Sequence, residues 1–289
     1  MTEVIDIHTH AISADTTRFP LAPLGGKQSD WSRTRPTSVE QLLAAMDDGG
    51  IAKAALVHAS TVYGHDNSYV AECVARYPDR LVGVFSIDML ADDACAQFDR
   101  WTGMGLSGLR LFTTGSTSPG QAGWLADPKT FPVWERAEAM NLPVCVQMRP
   151  EGAADLRRLL ERFPSAPIVL DHLGRVSLSD GSPYNAATWL FELAAYPSLF
   201  LKLTSRTVEQ SSEGASRPEH FFPKLVEIFG ADRIAWGSNF PAHAGPMARL
   251  LHEAQQALTS ISAKDRDAIF SGTAKRLYPP LSGAKRSVA

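Results

Sequence analysis

Eight short apolar runs recur along this chain, each followed by a polar loop and a stretch with helical spacing of apolar residues. The runs are Val4–Ile7, Ala54–His58, Leu81–Ser86, Gly108–Phe112, Pro143–Gln147, Ile168–His172, Leu199–Leu203 and Ile234–Gly237. The helical patterns begin with Ser38–Asp48, where Ser38 and Gln41 are spaced for a capping box, and the eighth unit is followed by one more, Ala263–Leu277. Several runs are apolar enough to be buried on both faces, as strands of a helix-covered parallel sheet are. The alternation predicts an α/β fold, a single (β/α)8 TIM-type barrel with an extra C-terminal helix. A doubly wound open sheet competes, but no Gly-rich phosphate loop follows the first run. The barrel is expected to occupy residues 1–280. The polar tail starting around Pro279, and with it residues 281–289, is expected to be disordered.

The chain has 289 residues, 44% hydrophobic and 20% charged, with a net charge of -3. That balance gives no electrostatic reason to expect nucleic acid or a membrane surface. No apolar run is long enough to span a bilayer, and no basic and apolar leader precedes the first strand. Cys73, Cys95 and Cys145 are few, odd in number and widely spaced. They fit reduced thiols, so the expectation is a cytoplasmic enzyme without a disulfide framework. The sequence specifies no oligomeric partner.

In a barrel, polar side chains at C-terminal strand ends meet in one pocket wherever they lie in sequence. The first strand supplies His8 and His10, two residues apart and so on one side of an extended segment. The second brings His58, with Ser60, Thr61 and Tyr63 just beyond. The fourth contains Arg110, and the fifth ends in Gln147 and Arg149. The sixth ends in Asp171-His172, followed by Arg175. The seventh carries Lys202, with Arg206 beyond it, and the eighth leads to Asn239. Such a pocket is rich in imidazole and guanidinium and poor in carboxylate, which predicts a small anionic substrate. Arg110, inside an apolar strand, either pairs internally or faces the ligand, and the ligand is the expectation. For Lys202 a structural pairing with Asp6 or Asp171 stands beside a ligand role. Arg149, Arg175 and Arg206 are in loops, where plain solvation is the default. His58, His65 and His243 are candidate proton carriers, though each also reads as a hydrogen-bonded loop residue. Two long loops, Ser13–Thr37 and Thr113–Pro128, are rich in Gly and Pro and are expected to roof the site.

Asp6–His10, Asp171-His-Leu-Gly-Arg175, Lys202 within Leu-Lys-Leu-Thr, and Trp236-Gly-Ser-Asn-Phe-Pro241 together resemble the amidohydrolase superfamily. The chain is similar to its amidohydrolase-related branch, which includes 2-pyrone-4,6-dicarboxylate hydrolases and sugar-acid lactonases. The segment His58–Asn67 is similar to the loop after strand two of the pyrone-dicarboxylate hydrolases. The resemblance covers nearly the whole chain. It implies a barrel that hydrolyses lactones or related carbonyl compounds, with His8, His10 and His172 at the positions of the family's histidines. It also implies, in many members, a divalent metal on the strand-one histidines and an aspartate after strand eight as general base.

Two departures matter. Gln147 stands where many metal-binding members have histidine, and Asn239 stands where the aspartate is expected. An amide cannot take a proton from water near neutrality. The chain is then an engineered Asp→Asn variant, or a member using a histidine or metal-bound hydroxide, or a protein that catalyses something else or only binds. The favoured version needs no cofactor: His8, His10 and His172 donate to the lactone carbonyl oxygen, Asn239 joins them as a catalytic-site residue, and Arg110 grips a substrate carboxylate. Ser60, Tyr63, Gln147, Arg149, Arg175, Lys202 and Arg206 complete the expected binding set. The alternative is one divalent metal such as Zn or Mn held by His8, His10 and His172. Competing functions are a metal-dependent decarboxylase of an aromatic or unsaturated acid, and a barrel that binds an acidic ligand without turnover.

Overall fold

The computed structural model describes residues 3–115 and 120–283. Eight parallel strands, β1 (Val4–Thr9), β2 (Ile51–Val57), β3 (Leu81–Phe85), β4 (Gly108–Phe112), β5 (Val144–Gln147), β6 (Ile168–Asp171), β7 (Leu199–Thr204) and β8 (Ile234–Gly237), pair in sequence order. The cylinder is closed by a parallel bridge between Thr9 and Phe240. Two backbone hydrogen bonds reinforce it: Asn239 N–H donates to His8 O (2.8 Å) and His10 N–H to Phe240 O (2.8 Å). Residues just past β8 are therefore locked to the end of β1. The fold is a (β/α)8 barrel.

The alternation of side chains along each strand divides two cores. Leu109, Leu111, Leu170, Leu201 and Trp236 point outward under the helices, whereas Val57, Val84, Cys145, Val169 and Phe200 fill the barrel interior. The capping box is present: Ser38 N–H donates to Gln41 Oε1 (2.8 Å), and Gln41 N–H to Ser38 Oγ (3.3 Å). The C-terminal helical stretch is interrupted by a π-helical segment, Ala268–Gly272, before Thr273–Leu277. The stretch Asn185–Ala195 likewise consists of short helical turns, Asn185–Ala187, Thr188–Glu192 and Leu193–Ala195.

The expectation of disorder from Pro279 is corrected for its described part. Pro279–Ser282 form a 3-10 turn, and Leu281 is 2% exposed, packed with Tyr278 in the interior core. Lys53 Nζ donates to Leu281 O at 2.8 Å. An apolar side chain inside a polar tail is worth burying where the barrel's N-terminal end would otherwise stay wet. Residues 284–289 of the tail, and Pro119 of the second long loop, lie outside the described residues.

Candidate active site

His8 is wholly buried, and its ring lies 5.0 Å, centroid to centroid, from those of both His10 and His172. Neither ring nitrogen of His8 has a hydrogen-bond partner among the described residues. His10 is fixed through Nδ1, 2.8 Å from Val57 O, and the indole of Trp31 stacks on it with centroids 5.2 Å apart. His172 Nδ1 meets Thr204 Oγ1 at 2.8 Å. Burial, then the positive charges of Arg110 and Lys202, pulls the pKa of His8 well below its usual range. His10 falls to about 3 for the same reasons, burial first and Arg110 next. His172 also falls to about 3: burial lowers it, and Asp171 raises it only in part. All three imidazoles are neutral at physiological pH.

These rings adjoin a cavity of about 210 Å3 at the C-terminal face of the barrel, lined by His10, His172, Arg110, Arg175, Arg206 and Asn239 among others. Ser60 and Gln147 also line it, so eight of the expected site residues share one space. Backbone φ is positive at His172, Arg175 and Asn239 (53°, 56° and 60°), a concentration of left-handed residues where the polar side chains converge. No carboxylate lines the cavity among the described residues. Arg175 Nε is buried without an acceptor among the described residues. Burial, and then the charges of Arg206, Arg149 and Arg110, lowers the Arg175 pKa. Guanidinium groups that repel one another, one with an unmet buried donor among the described residues, have the chemistry to pair with an anion.

Four expected site residues lie elsewhere. Lys202 is wholly buried, its Nζ 2.7 Å from Asp171 Oδ1 and 3.2 Å from Cys145 Sγ; it does not line the cavity, so its role is the structural pairing with Asp171. Tyr63 is buried, and its hydroxyl accepts from Ser13 N–H (2.7 Å), tying the first long loop to the end of β2. Arg149 is exposed and donates from Nε to Thr114 Oγ1 (3.0 Å), reaching the cavity only through its charge. His8 sits behind the lining as described. Arg110 pairs internally and also lines the cavity. Its Nε donates to Asp171 Oδ2 and its Nη2 to Gln147 Oε1, each at 2.7 Å.

Of the candidate proton carriers, His58 lines the cavity with Nε2 on Gly64 O (2.8 Å), leaving buried Nδ1 without a partner among the described residues. His65 meets Ser86 Oγ at 3.2 Å, and His243 pairs with Glu209 at 3.2 Å. Trp31, Phe112 and Thr114 also line the cavity; the sequence reading did not single them out. For Trp31 the available signal was a lone tryptophan in a loop already expected to roof the site.

The metal set expected from sequence is also corrected. The group of potential ligands that converges among the described residues is His8, Asp171 and His172, with ligand atoms within 4.8 Å of one another; His10 is not in it. Nitrogen and oxygen donors of this kind suit zinc. The charge does not. Asp171, the sole anion, already serves the buried cations Arg110 and Lys202 at 2.7 Å each. A dication bound to Oδ1 would stand against the Lys202 ammonium in a low-dielectric interior, an arrangement strongly disfavoured. The two cations held by Asp171 thus count against a dication at this particular group.

The chain belongs to the amidohydrolase family, whose model matches residues 5–279. Two curated relatives are lactone hydrolases by name. An L-fucono-1,5-lactonase of Burkholderia ambifaria is 26% identical over 54% of this chain, a match spanning only 56% of that enzyme's own length. A 4-sulfomuconolactone hydrolase of Rhizobium radiobacter is 29% identical over 83% of this chain and 76% of its own. Among solved structures, a candidate 2-pyrone-4,6-dicarboxylic acid hydrolase of Pseudomonas putida superposes with a TM-score of 0.74 at 20% identity, covering 97% of this chain and 98% of that one. A zinc-bound amidohydrolase of Burkholderia multivorans gives 0.75 at 20% identity, covering 96% and 99%.

Proposed function

We propose that this chain hydrolyses a small lactone bearing at least one carboxylate, without a metal. The observation that carries the reading is a cavity lined by three guanidinium groups and three neutral imidazoles, those of His10, His58 and His172, with no acidic side chain among its described lining. The names of the two lactone-hydrolysing relatives support the reaction class.

The substrate carboxylate binds between Arg110, Arg175 and Arg206, fixing the ring against the histidines. The sequence expectation that all three histidines donate to the carbonyl oxygen changes for His10. Its Nδ1 lies on a backbone carbonyl and must carry the proton, so Nε2 of the neutral ring is an acceptor. His10 therefore takes the proton of the attacking water. Its basicity in the free protein is depressed, but an anion on Arg110 offsets one of the charges that depress it. His172 meets a hydroxyl that can itself donate to Nδ1, which leaves His172 Nε2–H free to donate to the developing oxyanion. Asn239 donates its amide N–H to the same oxygen. Collapse of the tetrahedral intermediate breaks the ring C–O bond. The departing oxygen then takes the proton held by His10, leaving the ring-opened hydroxy acid.

Metal-dependent decarboxylation fits less well, because Asp171 is engaged by two cations. Binding without turnover leaves the neutral, aligned imidazoles without a task. The test is a panel of carboxylated pyrones and sugar-acid lactones, followed by proton release with and without a chelator. The expected result is chelator-insensitive opening of a carboxylated lactone and none of its methyl ester. Activity that requires added zinc or manganese, or CO2 release in place of ring opening, overturns the proposal.

A further inference from the structure

Beside the arginine-lined cavity lies a second one of nearly equal size, about 230 Å3, and the two share Phe112 as a wall. Its lining comes from three segments at the same face of the barrel. Leu24 belongs to the long loop after β1, Ile87 and Met89 follow β3, and Trp124 belongs to the long loop after β4. Ile87 and Met89 are 4% and 2% exposed, so this part of the wall is a built apolar surface. The polar groups there differ in kind from those of the first cavity. His65 is tethered to Ser86 Oγ at 3.2 Å, and the one charged lining residue among those described is Asp88, which accepts from Leu90 N–H at 2.9 Å.

We propose that this chamber is the second half of the substrate site, and that it takes an uncharged apolar arm, alkyl or aryl, of a lactone whose carboxylate is held by the arginines. The assignment rests on the carboxylated-lactone reading above for the chemistry of the other end. Opposite polarity in the two chambers orients the substrate. An anionic end is repelled by Asp88 and finds no cation in the second lining, whereas an apolar end in the first chamber would strip solvent from three guanidinium groups without replacing it. Phe112 links them, because its ring packs under Arg110 with the guanidinium carbon 4.4 Å from the centroid. An arm lying along Phe112 is therefore next to the group that grips the carboxylate. Pockets of this composition, mostly apolar with a few placed polar groups, are the usual form of small-molecule sites.

The experiment compares a 2-pyrone carboxylic acid with its butyl- and phenyl-substituted forms, measuring affinity by calorimetry and turnover separately. Burial of the arm is expected to tighten binding about 10- to 100-fold over the parent acid. Leu24→Trp, a change on a partly exposed loop residue, fills the chamber and is expected to remove that gain while leaving the parent's affinity within about twofold. Trp124→Ala, which removes a wall on a different loop, reduces the gain independently should the first variant fold poorly. Equal affinities for parent and substituted acids, or a Leu24→Trp loss shared by both, overturns the chamber assignment even where the parent is hydrolysed. A gain that depends on Leu24 and Trp124 with no turnover of any lactone upholds the chamber and overturns the proposed reaction instead.

Discussion

Lys202 Nζ lies 2.7 Å from Asp171 Oδ1 across the paired strands β6 and β7, with both side chains wholly buried. Asp171 shares its other oxygen with Arg110, so one carboxylate holds a catalytic-face guanidinium and an interior ammonium together. Burial alone would raise the Asp171 pKa, but Lys202 and then Arg110 hold it well below the ordinary carboxylate value. Removing one partner of a buried ion pair costs about 3–5 kcal/mol, because the remaining charge loses its compensation. Lys202→Met is expected to lower the urea midpoint by a corresponding amount. An unchanged midpoint would show that Arg110 alone balances Asp171.

The pH dependence of stability follows from groups whose pKa differs between folded and unfolded chains. His8, His10, His58 and His172 are all lowered, chiefly by burial, with His58 at about 4 and His10 and His172 at about 3. Below the unfolded value of about 6.5 the unfolded chain binds protons that the folded chain refuses. Their stabilisation is complete above that pH and declines as pH falls. Asp6 acts in the opposite sense: burial raises it to about 6, against hydrogen bonds from Ser238 and His8, so the folded form holds an extra proton from about pH 4 to 6. One proton offsets four, which leaves a net slope on the order of 4 kcal/mol per pH unit near pH 5. Urea titrations at pH 7.5, 6.5 and 5.5 should show a modest loss between the first two, about 1 kcal/mol, and a steeper one to the third, about 3–4 kcal/mol. A flat profile would mean that the imidazoles are charged in the folded protein.

The barrel was legible because eight apolar runs of strand length alternate with helical spacing, and that pattern has few alternative solutions. His8 and His10 were legible from their spacing, and Arg110 from its incongruity in an apolar strand. Lys202 shows the same incongruity, and sequence left it open between Asp171 and a ligand because strand register is not written in composition. Trp31 and Phe112 were hidden for another reason. Which aromatic closes over a ring depends on loop geometry, and the chain there carries no period to read. The burial of Leu281 was obscured by its polar surroundings. The state of His10 depends on the carbonyl of Val57, a backbone partner 47 residues away that no side-chain pattern announces.

Arg206 separates binding from structure. Arg110 holds Asp171 and Gln147, so its replacement disturbs the fold as well as the substrate. Arg206 lines the same cavity from an exposed position just beyond β7. A charge-assisted hydrogen bond to a substrate carboxylate contributes about 1.5–3 kcal/mol. Arg206→Met is thus expected to raise KM about 10- to 100-fold with kcat and thermal midpoint nearly unchanged. Steady-state kinetics at two ionic strengths checks this, since screening should weaken the parent's binding more than the variant's. Identical KM values would remove Arg206 from the anion site.

Asn239 is where the proposed chemistry is most exposed to test. Its backbone N–H is bonded to His8 O, and its φ of 60° is one that Asn and Asp tolerate better than other side chains. Asn239→Asp therefore preserves the local backbone and changes only what the side chain offers. In the proposed reaction the amide donates to the developing oxyanion while His10 Nε2 takes the water proton. A carboxylate cannot donate, and it places negative charge where negative charge develops. Loss of one such donor typically lowers kcat on the order of 10²- to 10³-fold. The variant is expected to show that loss with KM little altered, because the carboxylate-binding arginines are untouched. A rise in kcat after the substitution would instead assign the proton to residue 239 and remove His10 from the role of base.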